Sequence, residues 1–420
     1  MKTPYCLFVI VLAASLLSTR GEEKKLFYVQ DGDRVVFYGD SITDQRLYTT
    51  DIESFIVTRF PKKNVTFVHS GWGGDRVTGG GGGPIDLRLH RDVIAYKPTV
   101  MTIMLGMNDG SYRAFDPDIF KTYTNGYAHI IDVVKKELPG LRLTLIVPSP
   151  FDDVTREPKF PGGYNSVLVQ YGDYVRSLAG QENATVADLN APVVAALQKA
   201  KEVDAKLSVK LIADRVHPGP AGHLLMAEAL LKSWGAPSTV SKASLDAADK
   251  KMVQAVGCSI KHLKTTPLLS WDQLDDSLPM PLYPRDDAMA LALKASDFLE
   301  TLDQEIVKVV NLSAANYELR IDTQPVGTYS KDELATGVNL ATAKTPMQAQ
   351  AVEVHKLTLL HNDIHFNRWR QVQVNQTYQE LPNLPEVMND LDGVEKSVVA
   401  AQRKRAKPVV HHFELVPANN

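Results

Sequence analysis

Short apolar runs rich in β-branched residues alternate with amphipathic stretches of helical length over the first 236 residues. Because these runs are nearly continuous rather than alternating, they are typical of strands buried on both faces. The predicted strands lie at about 34–38, 65–68, 100–105, 143–147 and, more weakly, 185–188, and the predicted helices at about 46–59, 86–96, 117–137, 163–180, 191–205 and 221–234. Strands separated by helices predict right-handed βαβ crossovers and a parallel sheet.

The pattern changes beyond residue 238. Residues 239–310 are predicted to be mostly helical, and the clearest helix covers 286–310, where apolar residues recur at helical spacing. The remaining predicted elements are a small β-hairpin that pairs 317–321 with 325–329, a helix that begins with a capping box of Ser330 and Glu333, a long helix over 347–372 and a loose charged tail over 401–420.

The composition is that of a globular protein, with 44% apolar and 23% charged residues. The 46 basic and 49 acidic residues give a formal net charge of -3, without the basic excess that nucleic acid or an anionic membrane surface requires. Binding to nucleic acid is therefore not expected. Cys6 lies in the leader described next, so Cys258 has no cysteine with which to form an internal disulfide.

The N-terminal residues 1–21 have the pattern of a secretory signal peptide. Lys2 precedes an apolar run over 5–17, which ends in small residues. That run is shorter than the roughly 20 residues that span a bilayer, and no later run is longer or more apolar. We expect a secreted or periplasmic protein without a stable membrane anchor.

Ser41 directly follows the first predicted strand and precedes the first predicted helix. In a parallel sheet this position is the carboxyl edge, where ligands bind. Gly39 permits a tight turn that projects the serine from this edge. Taken alone, Ser41 also fits a helix N-cap, because serine is a preferred residue there.

An acid and a histidine, Asp214 and His217, share one loop at the same predicted edge. A serine hydroxyl becomes a good nucleophile when an imidazole accepts its proton and a carboxylate fixes the imidazole tautomer. By itself this spacing also fits a metal pair or a surface loop. Together with Ser41, it favours a catalytic triad.

Two further strand ends offer hydrogen-bond donors. Residues 71–75 (G-W-G-G-D) follow the second predicted strand, and Asn108 lies in 106–109 (G-M-N-D) after the third. A glycine N–H, the Asn108 amide and the Ser41 N–H would place three donors around a tetrahedral oxyanion. Each segment alone fits a turn, but the set of four loops indicates a serine hydrolase.

On these motifs, residues 32–236 resemble the SGNH, or GDSL-type, esterase and lipase superfamily. Residues 39–42 resemble its first block, Gly74 its glycine block, 106–109 its G-x-N-D block and 214–217 its D-x-x-H block. The resemblance implies the following roles: Ser41 as nucleophile, His217 as base, Asp214 as its partner, and Ser41, Gly74 and Asn108 as oxyanion donors.

The sequence departs from the family in two places. His69 stands where the family often has an asparagine, and the first block ends in Ile42 and Thr43 rather than in the namesake leucine. Neither change alters a catalytic atom. Gly71 or Gly73 could replace Gly74 as the oxyanion donor.

We therefore expect a three-layer α/β/α, flavodoxin-like domain and a mostly helical C-terminal extension with a small β-hairpin. The predicted segments are a signal peptide, a hydrolase domain, the extension and a charged tail, over 1–21, 22–238, 239–400 and 401–420. The expected activity is that of a secreted serine esterase, without cofactor or metal, that hydrolyses short-chain acyl esters of a small molecule or oligosaccharide, with deacetylation of carbohydrate as the preferred reaction. A lysophospholipase or lipase on the same triad is the alternative, and a catalytically idle carbohydrate-binding protein is the alternative from another class.

Some residues keep two interpretations. Trp72 could stack on a sugar ring or pack against the first helix, and Asp40, beside Ser41, is a candidate for substrate binding. His361 and His365 stand four apart, which suits a zinc pair, but a polar helical face is favoured over a metal site. Residues 79–83, five consecutive glycines, are expected to form a mobile flap near the site.

Overall fold

The computed structural model describes residues 26–282, 286–375 and 382–418. The predicted signal peptide, residues 1–21, lies outside the described residues and stays a prediction. Within the described ranges, no helix has the length and apolar character that crossing a bilayer requires.

The N-terminal region contains the elements predicted for a βα-alternating domain. In chain order they are β1 (Arg34–Gly39), α1 (Ser41–Asp44), α2 (Leu47–Arg59), β2 (Thr66–Gly71), β3 (Gly79–Gly80), β4 (Gly83–Pro84), α3 (Ile85–Asp92), β5 (Val100–Met104), α4 (Pro117–Glu137), β6 (Arg142–Val147), α5 (Gly163–Glu182), β7 (Thr185–Asp188), α6 (Ala191–Val203), α7 (Ala205–Ser208) and α8 (Pro220–Ser233).

Five of these strands form one parallel sheet in the order β2-β1-β5-β6-β7. The β-branched runs of its central strands are almost entirely buried, which is why they lack the alternation of half-exposed strands. Flanking helices complete the three-layer α/β/α fold, which confirms the predicted fold class. In the register, Gly39 lies opposite Gly71 on one side and Met104 on the other, so the loops that follow these three strands meet at one edge.

The C-terminal region is helical and also rich in strands. Its elements are β8 (Thr239–Asp246), β9 (Lys251–Val256), β10 (Cys258–Lys264), β11 (Leu269–Asp275), α9 (Asp287–Ala295), α10 (Phe298–Thr301), β12 (Gln304–Val310), β13 (Asn316–Ile321), β14 (Gln324–Ser330), α11 (Lys331–Thr336), β15 (Val338–Asn339), α12 (Pro346–Phe366), α13 (Leu384–Arg405) and β16 (Val410–Ala418). A π-helical segment, Asn367–Val374, continues α12.

Residues 239–275 form four strands, so the helices expected there are wrong. Strand β9 is exposed along nearly its whole length, which removes the alternation that marks a half-buried strand. The helix predicted over 286–310 ends at Ala295, where Ser296 adopts an extended conformation. Strand β12 alternates between buried and half-buried residues with the period of two of a strand, so the helical spacing predicted there is wrong.

The predicted hairpin and its capped helix are confirmed. Strands β13 and β14 pair antiparallel. The Ser330 side chain accepts the Glu333 N–H, and the Glu333 carboxylate accepts the Ser330 N–H, which is the reciprocal capping box. The long helix predicted over 347–372 is also present, as α12 and its π-helical continuation.

The C-terminal residues are not a loose tail. Helix α13 runs to Arg405, and β16 lies between β11 and β13 in a five-stranded sheet of order β10-β11-β16-β13-β14. His411, Phe413 and Leu415 point inward and are buried. In the sequence, Arg403, Lys404 and Arg405 at the end of α13 precede this short alternation and indicate a solvated tail instead of a strand.

Buried polar contacts, among them two that involve charged groups of α2, join the extension to the parallel-sheet domain. The Arg59 guanidinium in α2 pairs with Asp303 at 3.0 Å, and both side chains are almost completely buried. Glu53, one helical turn and a half earlier, accepts a hydrogen bond from His361 of α12 at 2.9 Å. A buried charge without its partner is costly, so these contacts specify how the extension packs.

Candidate active site

Ser41, His217 and Asp214 lie together at the carboxyl edge of the sheet. The Ser41 Oγ is 2.8 Å from His217 Nε2, and His217 Nδ1 is 2.7 Å from Asp214 Oδ2. The other carboxylate oxygen of Asp214 accepts the N–H groups of Val216 and His217. Partial burial opposes the negative charge, but these hydrogen bonds hold the pKa of Asp214 below its ordinary value.

Asp40, and not Ser41, caps the first helix. Its side chain accepts the Ile42 N–H at 3.0 Å, while Ser41 is the first residue of α1. The N-cap alternative for Ser41 is therefore wrong, and its hydroxyl is directed to His217. Asp40 is only 1% exposed, and burial raises its pKa to about 7. The structure thus places Asp40 beneath the nucleophile as a structural cap.

The turn into Ser41 depends on Gly39. A Cβ atom at this position would lie 2.3 Å from Thr43 Oγ1 and 2.7 Å from the Met104 carbonyl oxygen. Only glycine lets the chain pass this close to β5 and still present Ser41 at the edge.

Hydrogen bonds to the neighbouring loop over residues 152–157 hold the loop that carries His217 in place. Arg215 has a φ of 75°, in the left-handed region, and its guanidinium donates to the carbonyl oxygens of Asp152 and Glu157. The Arg215 carbonyl accepts the Asp152 N–H in return. These bonds compensate for the unfavourable backbone conformation and hold the segment between Asp214 and His217.

Asn108 lies at the same edge with its amide oriented by two hydrogen bonds. One amide N–H donates to the Asp75 carbonyl at 3.0 Å, and the Oδ1 accepts the Tyr112 hydroxyl at 2.8 Å. Ser111 and Tyr112 both have φ above 50°, a pair of left-handed residues that turns the Tyr112 ring back over Asn108. An amide carries two N–H groups, so this arrangement leaves the second one for another acceptor.

The three glycines that are candidates for the oxyanion donor differ in their contacts. Gly71 belongs to β2 and pairs with β1, and the Gly73 N–H donates to Asp44 Oδ2 at 3.0 Å. Gly74 follows with a φ of 79° and open space where a Cβ would project. Because Gly71 and Gly73 are engaged in these ways, Gly74 is the glycine that best suits an incoming oxyanion.

Trp72 packs against protein groups. The Cζ atom of Arg370, a residue of the extension, lies 3.4 Å from the ring centroid. A Cβ atom at Gly82 would lie 2.7 Å from the Trp72 ring, so the glycine-rich segment also approaches the ring closely. These contacts favour the packing interpretation of Trp72 over sugar stacking.

The five glycines form a tight hairpin. Gly79 pairs with Pro84 and Gly80 pairs with Gly83, so the segment is a two-rung antiparallel turn rather than an irregular flap. Gly82 is buried at its tip against Trp72 and Arg88. The sequence could not reveal this packing, since glycine repeats by themselves favour mobility.

His361 and His365 face the same way, as their spacing predicts, but glutamates surround them. His361 lies between Glu53 at 2.9 Å and Glu395 at 3.1 Å, and His365 lies 3.7 Å from Glu395. Burial opposes a charge on His361, yet the two carboxylates raise its pKa to about 10. Within the described part of the chain, no three His, Cys, Asp or Glu side chains are grouped to hold a metal ion.

Comparison with known proteins identifies a family that matches the part of the chain in which these residues lie. Residues 37–225 match the GDSL-like lipase/acylhydrolase family. An acetylxylan esterase of Geobacillus stearothermophilus is 27% identical over 228 residues, which cover 49% of this chain and 96% of that protein. The resemblance inferred from the four sequence blocks is therefore confirmed.

Solved structures extend the comparison. The structure of a gut microbial diltiazem-metabolizing enzyme matches with a TM-score of 0.82 at 27% identity, and the match covers 94% of this chain and 100% of that one. The crystal structure of an acetylxylan esterase from Geobacillus stearothermophilus matches with a TM-score of 0.41 at 25% identity, over 50% of this chain and 96% of that one. The first of these matches includes the C-terminal extension, which lies beyond the family match.

Proposed function

We propose that the protein, whose residues 37–225 match the GDSL-like lipase/acylhydrolase family, is a secreted serine esterase that removes short acyl groups, acetyl above all, from carbohydrate. The observation that carries the proposal is the hydrogen-bonded chain from Ser41 Oγ through His217 to Asp214. This is the arrangement that activates a serine hydroxyl at neutral pH.

In this mechanism the Ser41 Oγ attacks the ester carbonyl carbon while His217 Nε2 accepts the hydroxyl proton. The tetrahedral intermediate collapses, His217 gives the proton to the leaving alcohol oxygen, and the acyl group stays on Ser41. Water, deprotonated by His217, then attacks the acyl carbon. As the second tetrahedral intermediate collapses, the bond from the acyl carbon to Ser41 Oγ breaks, His217 returns the proton to Ser41 Oγ, and the carboxylic acid is released. Asp214 keeps the proton on His217 Nδ1 and stabilises the imidazolium during both acylation and deacylation.

The developing negative charge on the carbonyl oxygen requires donors that are already in position. We assign this role to the N–H groups of Ser41 and Gly74 and to the second amide N–H of Asn108. The hydrogen bonds of Asn108 to Asp75 and Tyr112 fix its amide plane before substrate arrives, so no reorganisation is needed during the reaction.

Replacing Asn108 with alanine should lower kcat by about two to three orders of magnitude, the usual cost of one oxyanion donor. The matched control is Tyr112→Phe, which removes only the hydrogen bond that orients the amide and should cost about tenfold or less. Both rates are measured with p-nitrophenyl acetate on protein whose circular dichroism is that of the wild type. A folded Asn108→Ala protein with the wild-type kcat would exclude Asn108 from the oxyanion hole.

The substrate class rests on the related acetylxylan esterase and on the predicted signal peptide. A panel of p-nitrophenyl esters of increasing chain length, with acetylated xylan, pectin and simple acetylated sugars, tests it. We expect the highest kcat/KM on acetyl esters and release of acetate from at least one carbohydrate. A preference for long chains or lysophospholipids would favour the lipase alternative instead.

A further inference from the structure

One side chain of the C-terminal extension reaches the loops beside Ser41. Arg370 lies in the π-helical segment that continues α12, and its side chain is 15% exposed. One terminal nitrogen of its guanidinium donates to Asp44 Oδ1 at 2.8 Å and to the Gly71 carbonyl at 3.1 Å. Departures from α-helical hydrogen bonding are frequent at functional sites, and here the departure coincides with the residue that touches the site.

Asp44 links this arginine to the glycine block. It is the last residue of the short helix that begins with Ser41, and its second carboxylate oxygen accepts the Gly73 N–H at 3.0 Å. The Arg370 guanidinium also stacks on Trp72, with 3.4 Å between Cζ and the ring centroid. Arg370 therefore contacts residues 71 and 72 directly and residue 73 through Asp44, and Gly74 comes next.

We propose that Arg370 is a positioning residue that joins the helix of the nucleophile to the oxyanion loop, so that Ser41 Oγ and the Gly74 N–H act on the same carbonyl group. This inference rests on the function proposed above. The planar guanidinium hydrogen-bonds and stacks at the same time, which a lysine ammonium cannot do in the same geometry. The extension thus contributes to catalysis without touching the substrate.

Arg370→Ala should lower kcat on p-nitrophenyl acetate by about 10- to 100-fold, because small displacements of positioned groups carry that cost. KM should change by less than about threefold, since no direct contact with substrate is lost. Arg370→Lys should not restore kcat. The matched control is Arg368→Ala, in the same helical segment, because Arg368 pairs with Asp392 rather than with the oxyanion loop.

Chemical rescue separates positioning from general stability. Arg370 lines a cavity of about 400 Å³ together with Trp72, Gly81 and Gly82, which gives a free guanidinium ion access to the vacated place. Millimolar guanidinium chloride should raise kcat of Arg370→Ala and leave Arg370→Lys and Arg368→Ala unchanged, with sodium chloride as the ionic-strength control. Equal responses of Arg370→Ala to both salts would overturn the inference.

A second variant decides the matter if Arg370→Ala does not fold. Asp44→Asn keeps the arginine but weakens the bridge, and it should lower kcat in the same way. The double variant should lose no more than the larger single loss, because both changes break one linkage. A folded Asp44→Asn or Arg370→Ala protein with the wild-type kcat would overturn the positioning role. If Ser41→Ala itself retained full activity, the proposed function would fail, whatever the arginine variants showed.

Discussion

Replacing Ser41 with alanine should lower kcat/KM for ester hydrolysis by about three orders of magnitude or more, without unfolding the protein. The change removes the atom that attacks the carbonyl and leaves the His217 imidazole without a proton to accept. It keeps the Ser41 N–H, so the oxyanion donors survive and account for the residual rate. Only the hydroxyl group of a half-buried side chain is lost, and its hydrogen-bond partner is His217.

The measurement is kcat/KM on p-nitrophenyl acetate, with thermal unfolding as the check on the fold. Ser233→Ala is the matched control, because this serine is also half-buried and donates only to the Leu230 carbonyl within α8. It should keep the wild-type rate. A folded Ser41→Ala protein that hydrolyses esters as fast as Ser233→Ala would remove the mechanism.

Replacing Glu53 with glutamine should lower the free energy of unfolding by about 3–5 kcal/mol, the usual cost of breaking a buried ion pair by removing one charge. Glu53 is 1% exposed and accepts hydrogen bonds from His361, His69 and Gln402. Burial works against its charge, but His361 and His69 hold its carboxyl pKa well below the ordinary range. Glutamine would leave the charged His361 with a single carboxylate partner, Glu395.

Urea denaturation measures this effect, and Glu353→Gln is the control. Glu353 pairs with Lys356 on the exposed face of α12, the helix that carries His361, where water screens the interaction, so its replacement should leave the unfolding midpoint unchanged. Equal midpoints for Glu53→Gln and the wild type would show that the buried network does not hold the extension.

The stability difference between the wild type and Glu53→Gln should also depend on pH. The pKa of His361 is raised from 6.5 to about 10, so its contribution is fully present below pH 6.5 and is lost as the pH rises toward 10. The pKa values of Glu53 and Glu395 are lowered from 4.5, so their contribution is present above that value and is lost on acidification. The difference should therefore be largest between about pH 4.5 and 6.5. A difference that grows from pH 7 to pH 10 would contradict this assignment of charges.

The parallel-sheet domain could be predicted because the sequence patterns that specify its elements lie within single short segments. Continuous β-branched runs predicted the buried strands. The candidate catalytic residues come directly after the ends of those strands, as Ser41 does after β1 and Asn108 after β5. Asp214 and His217 lie in one loop, so their spacing alone brought them together. The choice among Gly71, Gly73 and Gly74 depends on contacts that no spacing reveals, namely the pairing of Gly71 with β1 and the hydrogen bond from the Gly73 N–H to Asp44.

The rest of the molecule depends on contacts between distant segments. Strand β16 pairs with β11 and β13, which lie far earlier in the chain, and its buried alternation is short and follows a basic helix end. Arg370 reaches the site from the segment that continues α12, a helix that packs against α2. Tyr112 and Arg215 adopt left-handed backbone conformations, which tyrosine and arginine do not favour, so the sequence does not predict them. Tertiary packing, rather than local preference, decides each of these features.

The most direct test of the central claim is labelling with a serine-directed phosphonate ester, followed by mass spectrometry of the intact protein and its peptides. The account predicts one adduct per chain on the peptide that contains Ser41, and labelling of His217→Ala that is slower by orders of magnitude, because the hydroxyl is a weak nucleophile without its base. An adduct on another residue, or labelling of Ser41 at the same rate in His217→Ala, would contradict the claim that His217 activates Ser41.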